Sequence, residues 1–318
     1  MATGISTAFK IYEHEFNAGR LEYEAQNADA FNAASAGTII LRSESLEGNY
    51  SKESFFTNTS GLVNRRDTTS VAAGTIVSLA QDEMISAKLK RYSLVEQTLD
   101  SFKAIAKDPS ELSFIVGQQL AKAELLEKLN SGLAAMIGAL GNVGATAALD
   151  GTGGTIDHTK LAALMQLFGD RATELKAFVM HSKVAFDLLK QSIADKIVNV
   201  ADQSIIAGSV QTFGRPIIIS DSASLVNGST YYTLALTGGA IDIVDSEARG
   251  LLSETVGGLK NLVGRIQTEY AYNLGLKGFK YLVASGANPD ATAVALGTNW
   301  PKVATSVKDT GGVRLATL

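Results

Sequence analysis

A chain of 318 residues with 46% hydrophobic and 19% charged side chains is globular in composition, long enough for one large domain or two to three smaller ones. Its 28 Lys and Arg against 32 Asp and Glu give a formal net charge of -4, which excludes a strong basic field for gripping nucleic acid and an acidic tail that imitates it. The lack of cysteine excludes disulfides, thiol catalysis and cysteine-ligated zinc or iron–sulfur centres.

The first ten residues have no basic region followed by an apolar core, so no secretory signal is expected. No run of about 18 apolar residues occurs, so no membrane partner is expected either. The expectation is a soluble protein folding in a reducing compartment, with partners covering part of its charge-poor surface.

Residues 1 to about 37 carry few large apolar anchors (Phe9, Phe16, Leu21, Phe31) among Ala, Asn and small polar residues. With a short helix expected around 19–34, the segment reads as an arm that orders on something else. Residues 38–42 read as a short strand. From Glu44 to about Arg91 the chain is polar and strand-like, punctuated by Gly48, Gly61 and Gly74, with Ile85, Ala87 and Leu89 alternating against Ser86, Lys88 and Lys90. Its middle, 60–67, marks the tip or flank of a long two-stranded excursion, which in isolation needs something to lie on. Leu94, Val95, Leu99, Phe102 and Ala106 then suggest a helical face.

The most informative element follows. Asp108-Pro109-Ser110-Glu111 is a helix start, with a capping carboxylate, a proline where a missing N–H costs nothing, and Glu three residues after the cap. Apolar residues recur by threes and fours at Leu112, Ile115, Val116, Leu120, Leu126, Leu129, Leu133, Met136 and Leu140. The helix spans roughly 45 to 50 Å at 1.5 Å per residue, the length of a beam.

Residues 141–155 lack periodicity and read as a linker. Asp157 caps a helix bearing Leu161, Leu164, Met165 and Phe168, a strand covers 177–180, and a further helix begins at Ser182. Residues 216–220 form a short apolar strand. Residues 231–236 and 241–244 flank Gly238-Gly239, a favourable hairpin turn. The clearest strand is late, with Ile266, Thr268, Tyr270, Tyr272, Leu274 and Leu276 on one face. The long helix is its natural backing, which leaves an inserted domain of roughly 110 residues between them.

Chemistry is sparse. The histidines His14, His158 and His181 show no metal-ligand spacing, and neither GxSxG nor HExxH occurs. Gly138, Gly141 and Gly144 follow a helix rather than a strand, so they cradle no phosphate. Asp242, Asp245 and Glu247 suit a solvated turn or a neighbour contact better than a metal site. No catalytic residue, cofactor or metal is expected. The one charge constellation singled out is Arg65, Arg66 and Asp67, either a solvated hairpin or an ion-pairing patch against another subunit.

Four segments together carry a resemblance: residues 60–70 (SGLVNRRDTTS), 178–184 (FVMHSKV), 214–221 (GRPIIISD), and 288–290 (NPD) continuing to 298–305 (TNWPKVAT) and Lys308-Asp309. In these the chain resembles tailed-bacteriophage major capsid proteins of the HK97 fold, over nearly its whole length. The resemblance implies an α+β class and an HK97-like capsid fold. It assigns 1–45 to an N-terminal arm, 46–92 to an extended β-hairpin loop, 93–145 with 255–318 to a peripheral domain with a long spine helix and long strands, and 146–254 to an inserted axial α/β domain. It implies a coat protein forming hexamers and pentamers of an icosahedral head around double-stranded DNA, in a virion assembled in the host bacterial cytoplasm. Its implied partners are copies of itself, a separate scaffolding protein (no long coiled-coil segment precedes the arm), a portal and a cement or decoration protein, with the DNA contacted non-specifically. An encapsulin-type shell that loads protein cargo shares the fold and is the alternative.

Overall fold

The computed structural model describes residues 13–44, 48–57, 61–66, 68–74, 76–98, 109–194, 197–200, 203–206, 213–247, 250–257 and 260–318. The expected cap at Asp108 and the expected helical residues Leu99, Phe102 and Ala106 lie outside these.

Two helices form one flank. The first, α1, spans Glu13–Ala34, and the beam, α2, spans Pro109–Val143, 35 residues and about 52 Å. The apolar stripe of α2 is only partly its buried face. Leu133, Met136 and Leu140 are buried, but Ile115 and Leu126 are 41% and 51% exposed. In the first half the buried positions are Ser113, Gly117, Ala121, Glu124 and Lys128, also spaced by threes and fours. The helical period is right, and the face is set by small and polar residues that let another backbone approach.

That backbone is α1. A Cβ added to Gly117 would lie 2.3 Å from the Phe16 carbonyl oxygen, and one on Gly19 would lie 2.5 Å from the Phe114 carbonyl oxygen. Phe16, 1% exposed, packs with Ile266, Val116, Leu120 and Leu251. Residues 13–34 therefore pack on their own chain. Gly117→Ala sets two effects in opposition: Ala favours the helix by about 1 kcal/mol, while overpacking costs about 1–3 kcal/mol. The obstructing atom is backbone, so steric conflict wins, and a net loss of stability is expected in urea unfolding.

In chain order the strands are β1 (Ile39–Ser43), β2 (Tyr50–Phe56), β3 (Gln81–Thr98), β4 (Ala148–Asp150), β5 (Leu175–Met180), β6 (Ile197–Val200), β7 (Gln203–Ile206), β8 (Ile217–Ile219), β9 (Val226–Asn227), β10 (Thr230–Thr237), β11 (Ile241–Asp245), β12 (Gly250–Val256), β13 (Val263–Leu276) and β14 (Gly312–Thr317). Shorter helices are α3 (His158–Gln166), α4 (Ser182–Ala194) and α5 (Ala291–Ala295). Asp157 caps α3 as expected, accepting from the Lys160 N–H at 2.6 Å.

The first sheet runs β1-β11-β13-β3-β2, with β12 also beside β13. The long β13 pairs with β3 along one edge, and with β12 and then β11 along the other. Its expected inward face is buried from Ile266 to Leu276. Helix α2 backs it where Gly132 meets Ile241, Ile243 and Leu274, and where the Tyr272 hydroxyl donates to Glu127 at 2.7 Å. The second sheet runs β4-β14-β10-β5-β8, with β9 on β10, while β6 and β7 pair with each other.

Three local expectations are corrected. Leu94 and Val95 lie on β3, not on a helix, because pairing with β13 continues to Thr98. The 141–155 stretch contains β4, which pairs in parallel with β14. Gly238-Gly239 closes no hairpin: β10 belongs to the second sheet and β11 to the first, so the glycines carry the chain between sheets. Gly239, at φ +66°, donates its N–H to the Gly37 carbonyl at that crossing. Thus β11 and part of β12 fall within 146–254 yet build the first sheet, while β14 falls within 255–318 yet builds the second.

Candidate assembly surfaces

Strands β2 and β3 pair from Tyr50↔Ala87 to Phe56↔Gln81. Beyond them one more rung closes, where the Thr57 N–H and hydroxyl donate to the Ala80 carbonyl at 2.9 and 3.0 Å. The chain between is an excursion without helix or strand among its described residues. Its apolar side chains stand in solvent: Val63 is 93% exposed, Val71 104% and Ile76 91%. Arg65 and Arg66 lie here, exposed and without an ion pair or hydrogen bond among the described residues, while Asp67 lies outside those residues. Apolar surface left bare in this way marks an interaction site when it forms a contiguous patch.

The acidic group expected at a turn is spread along the first sheet. Asp242 meets Arg42 at 2.6 Å, Asp245 meets Lys128 at 2.6 Å, and Glu247 meets Lys88 at 2.9 Å. Lys88 and Lys128 are 2% and 6% exposed, so their carboxylates hold ammonium groups withdrawn from water. Periodicity flagged neither pair, because both lysines sit on faces read as solvated.

The Lys88 hydrogen bond holds the Glu247 carboxyl below its ordinary value, and the Glu83 backbone N–H, then Lys280, does the same for Asp82. A carboxyl depressed by folding adds stability that is present above its unfolded pKa and lost as pH falls through the folded one. Glu247→Ala is expected to cost about 2 kcal/mol at pH 7, less than a fully buried pair because the carboxylate is half-exposed. The cost shrinks below the unfolded carboxyl's range and vanishes only once pH has fallen through the depressed folded value, so it is smaller at about pH 3 than at pH 7. Urea unfolding at both pH values reads the difference.

The segments behind the sequence resemblance occupy joints. Asn288, at φ +53°, accepts the Lys90 N–H at 2.7 Å, and Asp290 caps α5 through the Ala293 N–H at 2.7 Å. Trp300 donates to the Val294 carbonyl at 2.9 Å. Arg215 donates to the Ala172 carbonyl at 2.8 Å and to the Leu175 carbonyl. Lys308 and Asp309 pair with Asp170 and Arg171, tying the C-terminal region to the turn before β5.

His181 sits where β5 gives way to α4, accepting the Lys183 N–H at 3.1 Å with its ring 5.2 Å from Tyr231. His14 is exposed and His158 begins α3. Among the described residues no three His, Asp or Glu side chains group as metal ligands, and no helix is long and apolar enough to cross a membrane. What the geometry offers is exposed contact surface on a rigid frame.

Comparisons with known proteins agree with that. No curated protein matches the sequence. Among solved structures, that of Microbacterium phage Oxtober96 superposes with a TM-score of 0.54 at 13% identity, covering 90% of this chain and 91% of its own. The Cyanophage Pam1 capsid gives 0.55 at 10% identity with 88% of both chains covered, and the capsid of Myoviridae phage XM1 gives 0.50 at 14% identity with 89% and 90% covered. These likenesses fix an HK97-like capsid fold, α+β in class, as the resemblance implied. The encapsulin alternative shares that fold and is not favoured beside the family match. The family described as Gp13-like, major capsid protein 13-like, matches residues 8–314. Frame, bare excursion and family match converge, and the chain belongs to the major capsid protein 13-like family of phage coat proteins.

Proposed function

We propose that this coat protein closes into the icosahedral head of a tailed phage, as hexamers and pentamers, around double-stranded DNA held without sequence preference. The observation that carries this is the excursion between Thr57 and Ala80, where Val63, Val71 and Ile76 are bare although the frame beneath is packed. Copies of the chain are the natural cover. In a closed shell every subunit is engaged several ways at once, so modest contacts sum to a stable wall.

Residues 1–45 serve as arm, 46–92 as extended loop, 93–145 with 255–318 as peripheral domain and 146–254 as axial domain, the two domains exchanging strands as described. Arg65, Arg66 and Asp67 contact a neighbouring subunit. A separate scaffolding protein, a portal and a decoration protein are the further partners, with assembly in the host bacterial cytoplasm. The net charge of -4 suits a wall that confines DNA mechanically instead of binding it.

Sedimentation velocity and negative-stain microscopy test the reading. Closed shells are expected from the purified chain, alone or with its scaffold. A single sedimenting molecule at every concentration, with or without that helper, overturns it.

A further inference from the structure

Strand β2 leaves β3 early. Their ladder ends at Tyr50↔Ala87, with one further bond from the Lys88 N–H to the Asn49 carbonyl at 3.0 Å, yet β3 runs on to Thr98. Beyond Lys88 every second residue turns its N–H and C=O away from β13. The first of these, Lys90, has its N–H taken by the Asn288 side chain at 2.7 Å, and the last, Thr98, by the Gln97 side chain at 3.2 Å. Between those two stops lie Tyr92, Leu94 and Glu96, with no strand beyond them among the described residues. This edge has none of the usual guards, neither proline nor lysine nor bulge. It is also apolar: Tyr92, Leu94 and Val95 are 72%, 49% and 44% exposed.

The two stops stand equally far from Leu94, so the open stretch has a centre. We infer that it is an interface with the same edge of a second copy of this chain, paired antiparallel across a two-fold axis at Leu94. In that register Leu94 faces Leu94 and Tyr92 faces Glu96, so every open N–H and C=O finds a partner. Any other centre sets one of the three residues against a stop, and a centre on Glu96 also brings two carboxylates together. Tyr92 comes to lie against the Glu96–Arg265 ion pair of the second copy. On the face toward α2, Val95 meets Ser93 beside a groove of about 460 Å³ that includes Ile115, itself 41% exposed. A two-fold contact cannot generate a ring, so in a head it joins subunits of neighbouring hexamers or pentamers instead of neighbours within one. The pairing rests on the coat-protein reading and supplies a joint between its rings.

The chain has no cysteine, so an introduced thiol reports alone. Leu94→Cys chains are assembled and oxidised. Residues opposite each other in a hydrogen-bonded antiparallel pair have Cα atoms about 5.5 Å apart, within disulfide reach, so a covalent dimer is expected in shells. Leu252→Cys is the control. Leu252 lies in the same row on the same face and is 57% exposed. Its counterpart would stand about 24 Å away at about 4.8 Å per strand, so no dimer is expected. Should Leu94→Cys chains fail to assemble, a mixture of Tyr92→Cys and Glu96→Cys chains reads the same register as a heterodimer. Leu94→Pro removes an outward N–H and spares the β13 ladder, so a folded chain with at least about tenfold fewer shells is expected. Shells without the dimer in both thiol series, a Leu252→Cys dimer as abundant as the Leu94→Cys one, or full shell yield from Leu94→Pro overturns the pairing and leaves the coat-protein reading standing. Failure of the wild-type chain to form shells under any condition removes both.

Discussion

Replacing residues 58–79 by an Asn-Gly turn is expected to leave a folded protein that forms no shells. The Thr57–Ala80 rung already closes the β2–β3 ladder, and a two-residue type I′ turn suits the twist of such a hairpin. Among the described residues of the removed segment, Val63, Val71 and Ile76 are each more than nine-tenths exposed and Leu62 and Leu79 are 60% exposed. Shortening the loop also lowers the entropy of closing it. Urea unfolding of the excised variant is therefore expected within about 1 kcal/mol of wild type, while sedimentation shows no species larger than small oligomers. Shells of normal size from the excised chain contradict the role assigned to the excursion. A large drop in stability shows instead that it is part of the fold.

Trp300→Ala acts in the opposite sense, on the frame. Trp300 is 0% exposed, its indole N–H donates to the Val294 carbonyl at 2.9 Å, and its ring meets Tyr281 edge-on at 5.2 Å. Tyr281 is itself tied to β3, its N–H donating to the Ile85 carbonyl at 2.8 Å, and its ring stacks on Tyr50 of β2. The backbone beside Trp300 presses on α2, where Gly297 and Gly138 leave no room for a side chain on either. One residue thus joins the C-terminal region, the root of the excursion and the beam. Truncation is expected to cost about 3–5 kcal/mol through lost burial and cavity, a large part of the 5–15 kcal/mol typical of a folded domain. Trp300→Phe keeps most of the volume and is expected to cost less. Trp300 is the only tryptophan, so circular dichroism rather than fluorescence follows the unfolding. A loss below about 1 kcal/mol contradicts the joint described here.

The elements with strong period or strong punctuation were legible in the sequence. Helix α2, the inward face of β13, the cap at Asp157 and the start of α4 all follow from local patterns that local hydrogen bonds and one buried face enforce. The misreadings share a physical cause. Gly117, Ala121 and Ser113 do not register as a buried face because they bury little area, yet they admit α1 because they are small. Lys88 and Lys128 read as solvated because the carboxylates that accompany them lie far away in the sequence, in Glu247 and Asp245. Gly238-Gly239 has the residues of a hairpin turn, but sheet membership is decided by long-range pairing, with β1 taking β11 and β14 taking β10. An excursion with its tip or flank at 60–67 is legible in the polar, glycine-punctuated stretch, but its bare Val63, Val71 and Ile76 are not.

The chain passes between its two larger sheets three times: along α2 into β4, back through Gly238-Gly239, and again into β14. Each half therefore holds a strand that the other half's connections deliver. Such a fold resists subdivision into cassettes, because excising either half takes a piece of its companion's hydrogen-bonded interior. Strain imposed on one part of a shell reaches the other along covalent backbone at three places. The subunit is interlocked before it ever meets a neighbour.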